Sequence, residues 1–228
     1  MNIKHHLDEA TLVSYAAGSL SQSMALVVAC HLSMCSTCRD SVNGIEAIGG
    51  MLLNSLDPAD INADSLNKVL ACLDEEPCVS IDSEPFINLS SRKKTIKTND
   101  NYVPSPLRDY VGESLNSIDW KFIVPGIYSY DLACKTERGG VSRLLRIAPG
   151  KAMLPHRHDG SELTLILRGS YSDEIGRFTL GDVADLDSEI EHQPLVDSNE
   201  DCICLIATDA PLKFKTLLGK IVQPITGF

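Results

Sequence analysis

The stretch CHLSMCSTC, from Cys30 to Cys38, places one histidine and three cysteines within nine residues. His31 and Cys35 are four residues apart and would share one face of a helix. Cys38 follows Cys35 at Cys-x-x-Cys spacing. One imidazole and two thiolates supply three of the four ligands of a closed tetrahedral zinc site. We therefore predict that this trio binds Zn²⁺, whereas Cys30 lies at another helical angle and is expected to pack in the core.

The fourth zinc ligand is expected at the start of the first helix, where the candidate is His6 and the alternative is its neighbour His5. Zinc would then fix the N-terminus to the junction of the second and third helices. A helical domain of roughly 75 residues buries little apolar surface, and structural zinc contributes on the order of 10 kcal/mol in small domains. Buried thiols without metal, or a redox pair of Cys35 and Cys38, are the weaker interpretations because they leave His31 without a purpose.

A second group of metal-binding residue types lies in the stretch LPHRHDGSELTL. His156 and His158 are two residues apart, so on a strand they point to the same side, and Glu162 follows a tight Asp-Gly turn. The spacing resembles the first motif of the cupin family, and His192 falls on the histidine of the second cupin motif. Three imidazoles and one carboxylate suit zinc, manganese, iron or nickel. We predict a divalent metal here, with zinc preferred.

The composition restricts the class of protein. The chain has 228 residues, 43% hydrophobic and 22% charged, which is ordinary for a globular protein. It has no apolar run of about 18–20 residues to span a bilayer and no recognisable signal peptide, so we expect a cytoplasmic protein that does not contact membranes. In a reducing compartment its eight cysteines favour metal or redox chemistry over disulfides. The net charge of −11 argues against direct DNA binding, which depends on neutralising phosphates.

The pattern along the chain predicts an α + β protein of two domains. Residues 1–76 show apolar side chains at helical spacing and are predicted to form a small all-α zinc-binding domain. Residues 77–101 are polar and Ser-rich, which is typical of a linker. Residues 102–228 contain short alternating runs such as VSRLLRI and CICLIAT between turn residues. Such runs predict an all-β barrel or sandwich, and the cupin motifs favour the barrel.

The last predicted helix of the first domain carries Leu66, Val69 and Leu70 on one face. An amphipathic helix of this kind can dock on its own core or on a partner protein. Packing on its own core is the preferred expectation.

The segment HHLDEATLVSYAAGSLS, followed by VVACHLSMCSTCR, resembles the zinc-binding anti-sigma domains and, within them, the ChrR type of anti-sigma factor. The H-x3-C-x2-C motif of that family falls on His31, Cys35 and Cys38, and its upstream histidine falls on His6. The resemblance covers the whole chain because the family also carries a C-terminal β-domain. It implies that the helical domain binds an ECF-type sigma factor and blocks its access to RNA polymerase.

The resemblance further implies that the cupin domain senses singlet oxygen or a related oxidant, such as an organic peroxide, and releases the sigma factor. The alternative is a metal-dependent cupin enzyme, an oxygenase or isomerase, with a fused zinc-binding interaction module. The fused zinc domain favours the regulator, because a simple cupin enzyme has no need of it. A homodimer formed through the cupin domain is a further open expectation.

Overall fold

A computed structural model describes residues 2–74, 102–134, 140–158, 160–188, 190–210 and 212–214. The predicted linker, residues 77–101, lies outside these ranges, and its boundaries stay a prediction. The contacts between residues divide the chain into two compact units. One contains residues 1–49 and 98–228, and the other contains residues 50–97.

The helices occupy the N-terminal part of the chain, as predicted. They are α1 Glu9–Ala16, α2 Gln22–Met34, α3 Ser36–Asn54, α4 Ser65–Asp74 and, after the predicted linker, the short α5 Arg108–Val111. The side chains of Asp8 and Ser21 cap α1 and α2, because each accepts a hydrogen bond from a backbone N–H of the first turn. Within the described part of the chain, none of these helices has the length and apolar character needed to cross a bilayer.

The strands follow the helices and pair antiparallel. They are β1 Lys121–Val124, β2 Ile127–Asp131, β3 Ser142–Ile147, β4 His156–His158, β5 Glu162–Arg168, β6 Ser170–Ser172, β7 Arg177–Thr179, β8 Val183–Leu186, β9 Glu191–His192, β10 Leu195–Val196, β11 Cys202–Thr208 and β12 Leu212–Phe214. One six-stranded sheet has the order β1-β2-β3-β11-β5-β8, and the three-stranded sheets are β10-β6-β7 and β12-β4-β9. The predicted fold class is confirmed, although the described strands form three sheets rather than one closed barrel.

The N-terminal segment, residues 4–8, lies along β8 at the edge of the six-stranded sheet. The backbone N–H groups of Lys4 and His5 donate to Asp182 Oδ1 over 2.7 and 3.0 Å. In return, the Val183 N–H donates to the His5 carbonyl over 3.3 Å. Because an edge strand exposes unpaired backbone groups, these contacts cover part of the open edge.

The first helices share a hydrophobic core with this sheet. Val27 and Val28 of α2 are fully buried in the same cluster as Leu163 and Leu165 of β5 and Leu205 of β11. Helix α2 therefore packs on the sheet with its apolar face. The helical residues 1–49 are built into the β-domain and do not form a separate body.

Helix α4 belongs to the unit of residues 50–97. Leu66, Val69 and Leu70 are 67%, 59% and 49% exposed. Helical spacing of apolar residues shows which face is apolar but does not show what covers it, so the packing of this face on the core of the first helices stays a prediction.

The shared core predicts that helices and β-domain unfold together. Trp120, the one tryptophan of the chain, reports on the β-domain, and far-UV circular dichroism reports on the helices. We expect the two signals to have the same denaturant midpoint. Leu165→Ala removes buried contacts worth about 2–5 kcal/mol and should lower both midpoints equally. A helical transition with a lower denaturant midpoint than the tryptophan transition would contradict the shared core. So would a helical midpoint that Leu165→Ala leaves unchanged.

Candidate metal centres

His6, His31, Cys35 and Cys38 lie together, with their ligand atoms all within 4.8 Å of one another. His31 Nε2 lies 3.3 Å from Cys38 Sγ. His6 Nδ1 lies 3.3 Å from Cys35 Sγ and 3.5 Å from Cys38 Sγ. A tetrahedral zinc ion with bonds of about 2.0–2.3 Å places its ligand atoms roughly 3.3–3.8 Å apart. The four side chains are therefore spaced as zinc ligands.

The junction of α2 and α3 positions three members of this cluster. His31 lies in the last turn of α2, Cys35 is the C-cap in extended conformation, and Cys38 lies in the first turn of α3. Cys35 is the one non-helical residue between α2 and α3. It turns the chain so that the side chains of His31, Cys35 and Cys38 converge. All three side chains are buried, whereas His6 is exposed.

Burial shifts the pKa values of two members of this cluster. It raises the pKa of the Cys38 thiol to about 11 and lowers the pKa of His31 to about 4. Both side chains are consequently neutral at neutral pH in the absence of a metal. Because zinc binds thiolate, its binding must release the thiol proton of Cys38, and the affinity should fall as the pH is lowered.

The second ring nitrogen of His31 is held by the β-domain. His31 Nδ1 donates to the carbonyl oxygen of Gly181 over 3.0 Å. This hydrogen bond leaves the lone pair on Nε2, the atom that faces Cys38. Zinc-bound histidines are usually held in this way, with the other nitrogen donating to a carbonyl or carboxylate.

The two alternatives for the fourth ligand are separated by their contacts. His5 Nε2 lies 3.1 Å from the Arg177 carbonyl oxygen, and the His5 ring lies 4.3 Å from the Phe178 ring. His6, and not His5, faces the thiols. Cys30 is fully buried in the core and is no member of the cluster, as expected.

The second cluster lies in the β-domain and contains His156, Glu162 and His192, all buried. His156 and His192 are cross-strand partners of β4 and β9, with ring centroids 4.6 Å apart. Glu162 is the first residue of β5, and its Oε1 atom lies 3.9 Å from His192 Nε2. The backbone of His158 belongs to β4, but its side chain lies outside the described part of the chain, so its role stays a prediction.

Both histidines of this cluster have their Nδ1 atom held. His156 Nδ1 donates to the Leu154 carbonyl over 2.7 Å, and His192 Nδ1 donates to Asp173 Oδ2 over 3.0 Å. Burial by itself lowers the pKa of His192, but the hydrogen bond to Asp173 and the charge of Glu162 outweigh it and raise the pKa. Asp173 was not predicted, because no motif spacing links it to His192.

A cavity of about 30 Å³ borders this cluster and is lined mainly by apolar side chains. Its volume accommodates one or two water-sized molecules. Cys202, Cys204 and Tyr171 line the same cavity. Both cysteines are buried, and both border the candidate metal centre. Burial raises the pKa of Cys202 to about 12, so its thiol is protonated at neutral pH.

N-terminal helices with a two-histidine, two-cysteine cluster, packed on a β-domain with a histidine–glutamate cluster, define a helical–cupin class of protein. The family model described as ChrR Cupin-like domain matches residues 111–211. The chain is 40% identical over 224 residues to anti-sigma-E factor ChrR of Cereibacter sphaeroides, covering 98% of each sequence. The chain belongs to the ChrR family of anti-sigma factors, as its sequence resemblance predicted.

A solved structure agrees with this assignment. The chain is similar to the crystal structure of Rhodobacter sphaeroides SigE in complex with the anti-sigma ChrR, with 37% identity and a TM-score of 0.75. The match covers 91% of this chain and 100% of the matched chain. The likeness therefore includes both the helices and the β-domain.

The N-terminal cluster predicts a specific loss of metal. In the full chain purified with zinc, Cys38→Ala is expected to lower the metal content by about one equivalent, because a closed zinc site needs all four ligands. Cys30→Ala, which removes a buried thiol of the same helical junction, should leave the content unchanged. Mass spectrometry of the bound metal measures both variants. Equal metal content in the two variants would contradict the site.

Proposed function

We propose that this protein binds an ECF-type sigma factor through its N-terminal helices and keeps it from RNA polymerase. Two observations support this: the chain is similar along nearly its whole length to anti-sigma-E factor ChrR, and it is similar to an anti-sigma ChrR solved in complex with SigE. Such a protein would act in the cytoplasm, where RNA polymerase is found. Pairing of two β-domains and the lack of direct DNA binding stay predictions.

Two metal ions belong to this proposal. The N-terminal centre would hold Zn²⁺ through His6, His31, Cys35 and Cys38. The β-domain centre would hold a divalent metal, with zinc preferred over manganese, iron or nickel, through His156, Glu162 and His192, joined by His158. A closed four-ligand zinc site is structural, so its contribution would be to fix the direction in which α3 leaves α2.

An apolar surface on α3 and α4 supports the docking of a partner protein. Met51, Leu52 and Leu53 at the end of α3 are 73%, 65% and 69% exposed. Leu66 and Val69 of α4 are 67% and 59% exposed. Isolated exposed apolar residues are normal, but larger exposed apolar patches mark interaction sites, and each of these two helices carries several exposed apolar residues. Helices present such faces to apolar grooves of their partners, and we place the sigma factor on this surface.

The β-domain centre is proposed to sense an oxidant, either singlet oxygen or an organic peroxide. The support is spatial: a small cavity, lined in part by the buried thiols of Cys202 and Cys204, borders the candidate metal ligands. Oxidation of a residue that lines this space would change the polarity and size of the cavity. The packing of β5 and its neighbours would then change, because buried clusters are close-packed.

The alternative, a metal-dependent cupin enzyme, has less support. Ligand sites for organic substrates usually have volumes of about 300–1,000 Å³, whereas the cavity beside the cluster has about 30 Å³. A water-sized molecule such as singlet oxygen fits this space better than an organic substrate does. The similarity along the whole chain to an anti-sigma factor favours the regulator as well.

The proposal is tested with the full chain, purified with zinc, and an ECF-type sigma factor of the same organism chosen for its similarity to SigE. We expect the wild type to retain the sigma factor and to inhibit transcription by its holoenzyme. Val69→Asp should weaken binding by roughly tenfold or more, because it puts a charge in an apolar interface. Phe122→Asp is the matched control, since Phe122 is 64% exposed on the β-domain, and it should bind like the wild type.

A second arm treats the complex with an organic hydroperoxide or with singlet oxygen from a photosensitiser. Release of the sigma factor is expected from the wild type and is expected to fail in a variant that lacks the β-domain centre, His192→Ala. Lack of sigma retention by folded wild-type protein would overturn the anti-sigma function. Retention without release under either oxidant would overturn only the sensing function.

A further inference from the structure

We propose that Asp182 is a positioning residue for the N-terminal metal centre. This centre then joins the helices to the β-domain as well as joining the helices to one another. The inference rests on the proposed binding of a metal by the four-residue N-terminal cluster. It goes beyond that proposal because it assigns part of the metal affinity to β-domain residues that do not touch the metal.

The first support is the way in which Asp182 holds the chain beside His6. The Asp182 side chain is fully buried. Its Oδ1 atom accepts the backbone N–H groups of Lys4 and His5 over 2.7 and 3.0 Å. Its Oδ2 atom accepts the N–H and the hydroxyl of Thr179, both over 2.8 Å. The two residues immediately before the ligand His6 are thus fixed to a carboxylate that is itself held on both oxygens.

The second support is the preceding residue, Gly181. Its carbonyl oxygen accepts the hydrogen bond from His31 Nδ1, and its N–H donates to the Ile166 carbonyl over 2.9 Å. Gly181 has a φ of 89°, a conformation that favours glycine. Two consecutive β-domain residues therefore hold one ligand each: Gly181 orients His31, and Asp182 places His6.

This arrangement connects the two candidate centres through one pair of strands. Gly181 and Asp182 lead directly into β8, which pairs with β5. Glu162, a member of the β-domain cluster, is the first residue of β5 and lies opposite Leu186 of β8. A change in the β-domain centre that shifts β5 against β8 would move the groups that hold His31 and His6. Coupling of this kind is reciprocal between two binding sites.

The test measures metal affinity in the full chain. Wild type, Asp182→Ala and Asp182→Asn are titrated with zinc in competition with a chromophoric chelator. They are then loaded with Co²⁺, whose thiolate absorption reports only on a site with cysteine ligands. Asp197→Asn is the matched control, because Asp197 also accepts several hydrogen bonds in the β-domain, from Ser170, Ser172 and Arg177. Trp120 fluorescence follows the folding of each variant.

We expect Asp182→Ala to lower the zinc affinity of the cysteine site by about 10–100-fold, as for other residues that hold metal ligands in place. Asp182→Asn keeps one acceptor oxygen and should show a smaller loss, with cobalt absorption shifted from that of the wild type. Asp197→Asn should match the wild type. If Asp182→Ala fails to fold, the affinity and spectrum of Asp182→Asn decide.

Three results would count against these expectations in different ways. Absence of cobalt–thiolate absorption in the folded wild type would overturn the metal site itself. Wild-type affinity and spectrum in the folded Asp182 variants would overturn the positioning role and leave the metal site intact. An equal loss in Asp197→Asn would show general weakening of the β-domain and would likewise overturn the role of Asp182.

Discussion

The imidazole of His31 is the contact on which the arrangement of this molecule depends. One ring nitrogen faces the thiol of Cys38, and the other donates to the carbonyl of Gly181, 150 residues away. A buried imidazole needs partners for both nitrogens, since an unsatisfied polar group in the interior costs about 1–3 kcal/mol. The ring therefore fixes the end of α2 relative to the turn that begins β8. The apolar contacts of α2 with β5 and β11 also hold α2 against the β-domain.

The two candidate centres use this buried environment in different ways. In the N-terminal centre, two thiols and two imidazoles meet at a helix junction and fill a tetrahedron, which suits a structural ion. In the β-domain centre, His156, Glu162 and His192 border a cavity that also contains Cys202 and Cys204. The first arrangement favours rigidity, and the second leaves space for a small reactant. This difference is consistent with the proposal that the β-domain centre, and not the N-terminal centre, meets a small reactant.

Features that depend on local spacing could be predicted from the sequence. The convergence of His31, Cys35 and Cys38 at a helix end, and the short apolar runs of β3 and β11, are set within a few residues. The choice of His6 over His5 could not be made locally, because His5 contacts Arg177 and Phe178 of the distant strand β7. Asp173 and Gly181 were missed for the same reason, since only the fold brings them to their histidines.

Amide hydrogen exchange tests whether the N-terminal metal centre joins the helices to the β-domain. The full chain would be compared by NMR with zinc and after its removal by a chelator, with the amide of Leu205 in the core strand β11 as internal control. We expect zinc removal to speed exchange at Lys4, His5 and Val183, the amides that join the N-terminal segment to β8. Unchanged exchange at these three amides, with faster exchange confined to α2 and α3, would show that the metal centre fastens only the helices.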